Sequence, residues 1–274
     1  MALVSITEVF GHPTGDLSAK SVSDRNQKWC PFREMQCNKG RLEDPLGICT
    51  FGDEVRASAV CPSRFLEDGR IFQDAGRLAF GRGMQVLVAP EIRILQIPGG
   101  RVRKIGKVDY IIGQVDARGV VTDFAAVEVQ SVYFSGRSIR PAFSSFLSTG
   151  QVPQGSDRRL DYRSSAQKRL MPQLSLKVPV FRRWGKRFFV AVDHLFFENL
   201  PPLRTVESVD NSEVTWLVYP LEAAGGRYRL GEPTVRFTLW EDVISALREG
   251  REPTPAEVIS ELNAKKDAYR TIRT

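Results

Sequence analysis

The chain has 274 residues, 42% hydrophobic and 9% aromatic, which suits one large domain or one domain with a small appendage and excludes general disorder. Its formal charge is +7, with a pI near 9.4. No apolar run approaches the roughly 20 residues of a membrane-spanning helix, and the opening stretch reaches an acid at Glu8 before a signal-like apolar core forms, so no membrane and a reducing cytoplasm are expected.

In chain order, residues 18–28 read as a short polar helix. The four cysteines follow, Cys30, Cys37, Cys49 and Cys61, spaced C-x6-C-x11-C-x11-C, with none after Cys61. Four soft thiolates arranged tetrahedrally suit zinc or a mononuclear iron. Gly40, Gly47 and Gly52 lie between them, where a chain returning to one ion needs tight turns. Two disulfides and free buried thiols are the competing readings. A bound ion would contribute about 10 kcal/mol of local folding free energy, so the expected role is structural. The expected division is a four-cysteine metal-binding segment at 1–68 and a larger body at 69–274.

Beyond Cys61, residues 72–80 read as a helix. Two Val/Ile/Leu-rich strands follow at 84–89 and 91–98, then a pair at 104–113 and 120–134 around an Asp/Gly turn. Leu174, Val178 and Phe181 fall at helical spacing in 172–184, a helix that Pro179 is expected to kink or split. Residues 186–197 form a largely apolar strand of the kind buried on both faces, and 213–219 and 234–239 are further strands. Two helices close the chain, the last opened by a capping box at Thr254 and Glu257 with Pro255 in its first turn.

Charge is uneven. Residues 158–187 hold ten cations against one acid, Asp161. Such a stretch can neutralise phosphates and release counterions, so a polyanion partner is favoured over a merely solvated surface.

One constellation carries chemistry. Asp109 and Glu128 are acids inside otherwise apolar strands, and Gln130 shares the face of Glu128. With the turn centred on Ala117 and Arg118, Asp109 falls opposite Ala126 and diagonal to Glu128. Two carboxylates on one face can hold Mg2+ through oxygen and leave positions for water and a phosphate oxygen. A half-exposed hairpin with two surface acids is the alternative. Of the two histidines, His12 and His194, the second follows the buried strand and is expected to be packed and hydrogen-bonded.

With these residues in view the chain resembles the NotI-type restriction endonucleases, a branch of the PD-(D/E)XK nuclease superfamily. The likeness runs from Glu8-Val9-Phe10-Gly11 through the segment from Trp29-Cys30-Pro31-Phe32 to Cys61-Pro62-Ser63-Arg64-Phe65, then Asp109 and Glu128-Val129-Gln130. It continues in Asp161-Tyr162-Arg163-Ser164-Ser165, Lys168-Arg169-Leu170, Pro172-Gln173-Leu174 and Trp184-Gly185-Lys186. The resemblance implies an α/β (α+β) fold, a PD-(D/E)XK restriction-endonuclease-like mixed sheet flanked by helices, with the four-cysteine segment as an N-terminal metal-binding subdomain. It implies Mg2+-dependent cleavage of double-stranded DNA by a homodimer at a palindromic, GC-rich site in a prokaryotic cell. It also implies iron rather than zinc on the cysteines, in a non-redox role. Asp109 and Glu128 carry over as Mg2+ ligands. Gln130 stands where most of the superfamily has lysine, and Glu91 is the further acidic position. Arg137, Arg140, Arg163, Lys168 and Arg169 are the expected DNA contacts. A catalytically silent DNA-binding protein of the same fold is the alternative function, and a four-thiolate electron carrier is a more distant one.

Overall fold

The computed structural model describes residues 5–53, 56–97, 103–153, 159–224, 227–248, 253–270 and 272. Its N-terminal part consists of short strands: β1 (Ser5–Val9), β2 (His12–Pro13), β3 (Trp29–Cys30), β4 (Met35–Gln36), β5 (Ile48–Gly52) and β6 (Ala57–Ala59). Helix α1 (Ala19–Asn26) lies between β2 and β3, capped by the Ser18 hydroxyl. Strands β2-β1-β5-β6 form an antiparallel sheet, and β3-β4 a small hairpin.

Helix α2 (Arg70–Phe80) leads into β7 (Gln85–Ile97), β8 (Arg103–Val115) and β9 (Val121–Val129). Next come β10 (Tyr133–Ser135), α3 (Arg140–Thr149) and β11 (Arg159–Asp161). Helix α4 (Tyr162–Ser165) passes through a π-helical turn at Ala166–Leu170 into α5 (Met171–Trp184). Strand β12 (Phe188–Asp193), helix α6 (His194–Glu198) and β13 (Val214–Tyr219) precede the hairpin of β14 (Leu221–Ala224) and β15 (Arg227–Leu230). Strand β16 (Thr234–Thr238), α7 (Trp240–Arg248) and α8 (Pro255–Ala264) follow.

The central sheet is mixed and six-stranded, in the order β16-β13-β12-β9-β8-β7, with parallel pairing at β9/β12 and β12/β13. Every residue of β12 is buried, because both faces of the sheet are covered. Phe188, Val190 and Val192 join one apolar cluster with α3, α5 and α7, whereas Phe189 and Ala191 face a second with Ile71 and Ala75 of α2. The first cluster also takes in Phe10, Cys30, Cys37, Ile48 and Phe51, so the cysteine-bearing segment packs on the same core as the sheet. Gly47 is required for that packing: a Cβ there would stand 2.4 Å from the Phe10 ring.

A buried arginine fastens this segment. Arg64, 0% exposed, donates from Nε to Glu8 Oε2 at 2.9 Å, from Nη1 to Glu67 Oε2 at 2.9 Å and from Nη2 to the Tyr228 carbonyl at 2.7 Å. It thereby joins β1, the turn after Cys61 and β15 around one planar fork.

Most expected elements are present, with instructive differences. The runs at 84–89 and 91–98 are one strand, β7, and Pro90 is tolerated because β7 is the sheet edge. Pro98, the last residue of that expected run, lies outside the described residues, as does Arg158 of the basic stretch. Helix α5 continues through Pro179, held by the buried Leu174, Val178, Val180 and Phe181. The strand expected at 186–197 stops at Asp193, whose carboxylate accepts the Phe196 N–H and starts α6. His194 is therefore on an exposed helix beside Glu198, not packed in the core, since the chain turns outward where the strand ends. The capping box at Thr254 and Glu257 opens α8 as expected.

Candidate active site

The hairpin of β8 and β9 is paired two residues away from the expected register. Tyr110 lies opposite Val127 and Ile111 opposite Ala126, so continuing the ladder sets Asp109 opposite Glu128 itself. The expected partner, Ala126, is displaced because the turn closes from Asp116 to Val120 and an irregularity at Gln114/Val115 adds one further step. A shift of two residues preserves the face, so both acids still point to the side covered by α5.

At this point side chains replace the backbone ladder. The Asp109 N–H donates to Glu128 Oε1 at 3.1 Å, and the Val129 N–H donates to Asp109 Oδ2 at 3.0 Å. Each strand's amide is thus satisfied by the acid of its neighbour. Glu128 is buried and Asp109 half-buried. Burial, joined by the nearby Asp109 charge, pushes the Glu128 carboxyl up to about 7 against the opposing Lys177 ammonium. Asp109 is also raised, chiefly by burial, with Val129 N–H, Lys177 and Lys107 pulling it down.

In the sequence Lys177 stands out only as part of the basic stretch. Its side chain is 2% exposed, and Nζ donates to Glu128 Oε1 at 2.7 Å and to Gln173 Oε1 at 2.6 Å. The signal was available: Leu174, Lys177, Val178 and Phe181 follow the i, i+3, i+4, i+7 spacing of the apolar face of α5, and the structure buries all four. A charged residue on such a stripe is expected to have a buried partner.

Gln130 lies just beyond β9. Its side chain is buried and its amide donates to the Ser131 carbonyl. Glu91 completes a row of three acids across β7, β8 and β9. The β7/β8 pairing brackets it between Pro90↔Tyr110 and Ile92↔Val108, opposite Asp109. Its backbone is left-handed, φ +62°, and its 67%-exposed carboxylate pairs with Lys107 Nζ at 2.6 Å.

The basic stretch is not one free surface. Lys177 is committed to Glu128, Arg182 to Glu213 at 2.8 Å, Arg187 to Asp210 at 2.7 Å, and Lys186 to Asp123. Arg163, Lys168 and Arg169 remain exposed around the π-helical turn, with the Arg169 guanidinium 4.6 Å above the half-exposed Tyr133 ring. Arg137 is exposed beyond β10, and Arg140 is paired with Asp44 from the segment between Cys37 and Cys49.

The four thiols are buried and free of disulfides. Burial pushes Cys30 up to about 11, with additional contributions from Cys61 and Cys37, and raises Cys37 and Cys49, each affected by Cys61 as well. The four are therefore neighbours. As placed, no three or more His, Cys, Asp or Glu side chains among the described residues converge closely enough to hold a metal ion, either here or at Asp109 and Glu128.

Comparison with known proteins supplies the class. No curated protein matches the chain. The sequence profile of the family described as Restriction endonuclease NotI matches residues 16–230, a span that includes the cysteines, the paired acids and Lys177. The chain therefore belongs to the NotI restriction endonuclease family, the type II site-specific deoxyribonucleases that hydrolyse double-stranded DNA.

Proposed function

We propose that Asp109 and Glu128 form the hydrolytic centre and hold Mg2+. The observation that carries this reading is that each carboxylate accepts an N–H from the other's strand, one acid buried and one half-buried, in a chain of this family. The donor set fits a hard cation: the hydrogen bonds within the pair use Oε1 of Glu128 and Oδ2 of Asp109, leaving the second oxygen of each. When bound, the ion supplies Lewis acidity toward a phosphate oxygen and a lowered pKa for water. In the reaction a water oxygen bonds to phosphorus as one P–O ester bond breaks. Glu91 stands in the same row and would neutralise a second charge on the metal side, with Lys107 as its present counter-ion. Gln130, uncharged, would orient water or a phosphate through its amide.

DNA would be gripped by the exposed cations Arg163, Lys168, Arg169 and Arg137, with Arg140 shared between DNA and Asp44. The Arg169–Tyr133 stack fixes one of these cations immediately after the strand that carries Glu128. The DNA site would be palindromic and GC-rich, read by a homodimer. Val258, Ile259 and Leu262 of α8 are exposed apolar side chains that a second copy would cover. The four cysteines would hold one structural iron, or zinc. Four free, buried thiols packed near one another support this, because a cation is what would stabilise them as thiolates.

The decisive experiment is digestion of a large GC-rich DNA with purified protein and Mg2+, followed by sequencing of the ends. Discrete ends sharing a palindromic motif are expected. Full cleavage by both Asp109→Ala and Glu128→Ala would sink the assignment of the centre.

A further inference from the structure

We infer that Lys177 is the cation of the hydrolytic centre, supplied from helix α5 where β9 presents the uncharged Gln130. The inference rests on the reading of Asp109 and Glu128 as the reacting pair.

An ammonium that is 2% exposed is costly unless it is paired, and a lysine kept on the apolar stripe of α5 has a reason to be there. Its partner is the buried acid of the pair, at 2.7 Å, rather than any surface carboxylate. Gln173, one turn earlier on α5, accepts a second N–H at 2.6 Å and fixes the direction of the ammonium. Two of the three donors of Nζ are used in this way, and the third, without a partner among the described residues, is the one that an anionic oxygen beside Glu128 would take.

Gln130 cannot fill this role. It carries no charge, and its amide is turned to the Ser131 carbonyl. Lys107 is a further cation near Asp109, but it is half-exposed and its ammonium is paired with Glu91. Lys177 is thus the ammonium bonded directly to the acid pair. Facing a non-bridging oxygen of the scissile phosphate, it would offset negative charge that grows as water attacks phosphorus, where a fixed cation in a dry site acts most strongly. The competing role is a counter-ion that merely anchors α5 to the sheet.

The test measures single-turnover cleavage at saturating DNA and Mg2+, with DNA affinity and thermal unfolding of each variant. Lys177→Met is expected to slow cleavage at least 100-fold while DNA binding stays within about threefold. A folded Lys177→Met that cleaves within tenfold of wild type overturns the inference. The double variant Q130K/K177M returns a cation from the strand side. It is expected to recover cleavage to within tenfold of wild type, which a purely anchoring lysine would not allow. If Lys177→Met fails to fold, this double variant decides alone: recovery supports the inference, and a folded protein without cleavage overturns it. An inert wild type, or an Asp109→Asn variant as active as wild type, would instead bring down the assignment of the acid pair.

Discussion

Asp109 and Glu128 exchange support across two strands: the Asp109 N–H bonds Glu128 Oε1 at 3.1 Å, and Asp109 Oδ2 accepts the N–H of Val129 at 3.0 Å. The acids thus serve as both backbone caps and charges, and Glu128 also holds Lys177. Glu128→Ala should therefore lose stability as well as cleavage. It leaves the Lys177 ammonium buried without its anion, at a cost of about 3–5 kcal/mol, measurable by urea unfolding. Asp109→Asn keeps an acceptor for the Val129 N–H and should unfold near wild type while cleavage is lost.

Arg64 should be the strongest structural anchor of the N-terminal segment. Its guanidinium is fully buried against Glu8, Glu67 and the Tyr228 carbonyl. Arg64→Met should cost about 3–5 kcal/mol by stranding Glu8 in the interior. Arg64→Lys should recover only part of this, since an ammonium cannot span three acceptors in one plane. Chemical unfolding of the two variants against E8Q/R64M checks the argument: the double variant should be milder than Arg64→Met.

Asp193 predicts a pH dependence of stability. Burial pushes its carboxyl up to about 7 from the ordinary 3.8, against the pull of the Phe196 and Ala59 N–H groups. Between these values the folded chain holds a proton that the unfolded chain has released, so this group's contribution to stability is fully present below about 4 and falls as pH rises toward 7. Asp193→Asn keeps the cap on α6 and should flatten that part of the curve. Thermal unfolding of both proteins at pH 5 and pH 7.5 should show wild type losing more than the variant; equal losses would contradict the assignment.

Cations of the 158–187 stretch should fall into two groups. Arg163→Ala, Lys168→Ala and Arg169→Ala should each weaken DNA binding and lower the slope of log affinity against log salt by about one. Arg182 and Arg187 are held by Glu213 and Asp210, and their alanine variants should leave that slope nearly unchanged. Salt titrations of binding in Ca2+ would separate the two groups.

Each cysteine variant, beginning with Cys30→Ser, should lose the proposed structural metal together with thermal stability and DNA affinity. Elemental analysis of the purified proteins gives the metal, and unfolding gives the rest. A variant that has lost its metal yet unfolds and cleaves as wild type would show the site to be dispensable.

The sequence by itself determined several of the buried segments and the start of the last helix. The apolar run of β12, the Thr254 cap and the acids inside β8 and β9 are local patterns, governed by period and by hydrogen bonds within a few residues. Resemblance pointed to the family, which the profile match establishes. The tertiary structure decided the pairings between distant residues. A turn from Asp116 to Val120 set Asp109 opposite Glu128 rather than Ala126. Acids far along the chain, Glu213 and Asp210, took cations that the linear count had assigned to DNA. Packing of α5 carried Lys177 from that stretch to the acid pair, because the apolar stripe around it had to face the sheet and its ammonium required an anion there.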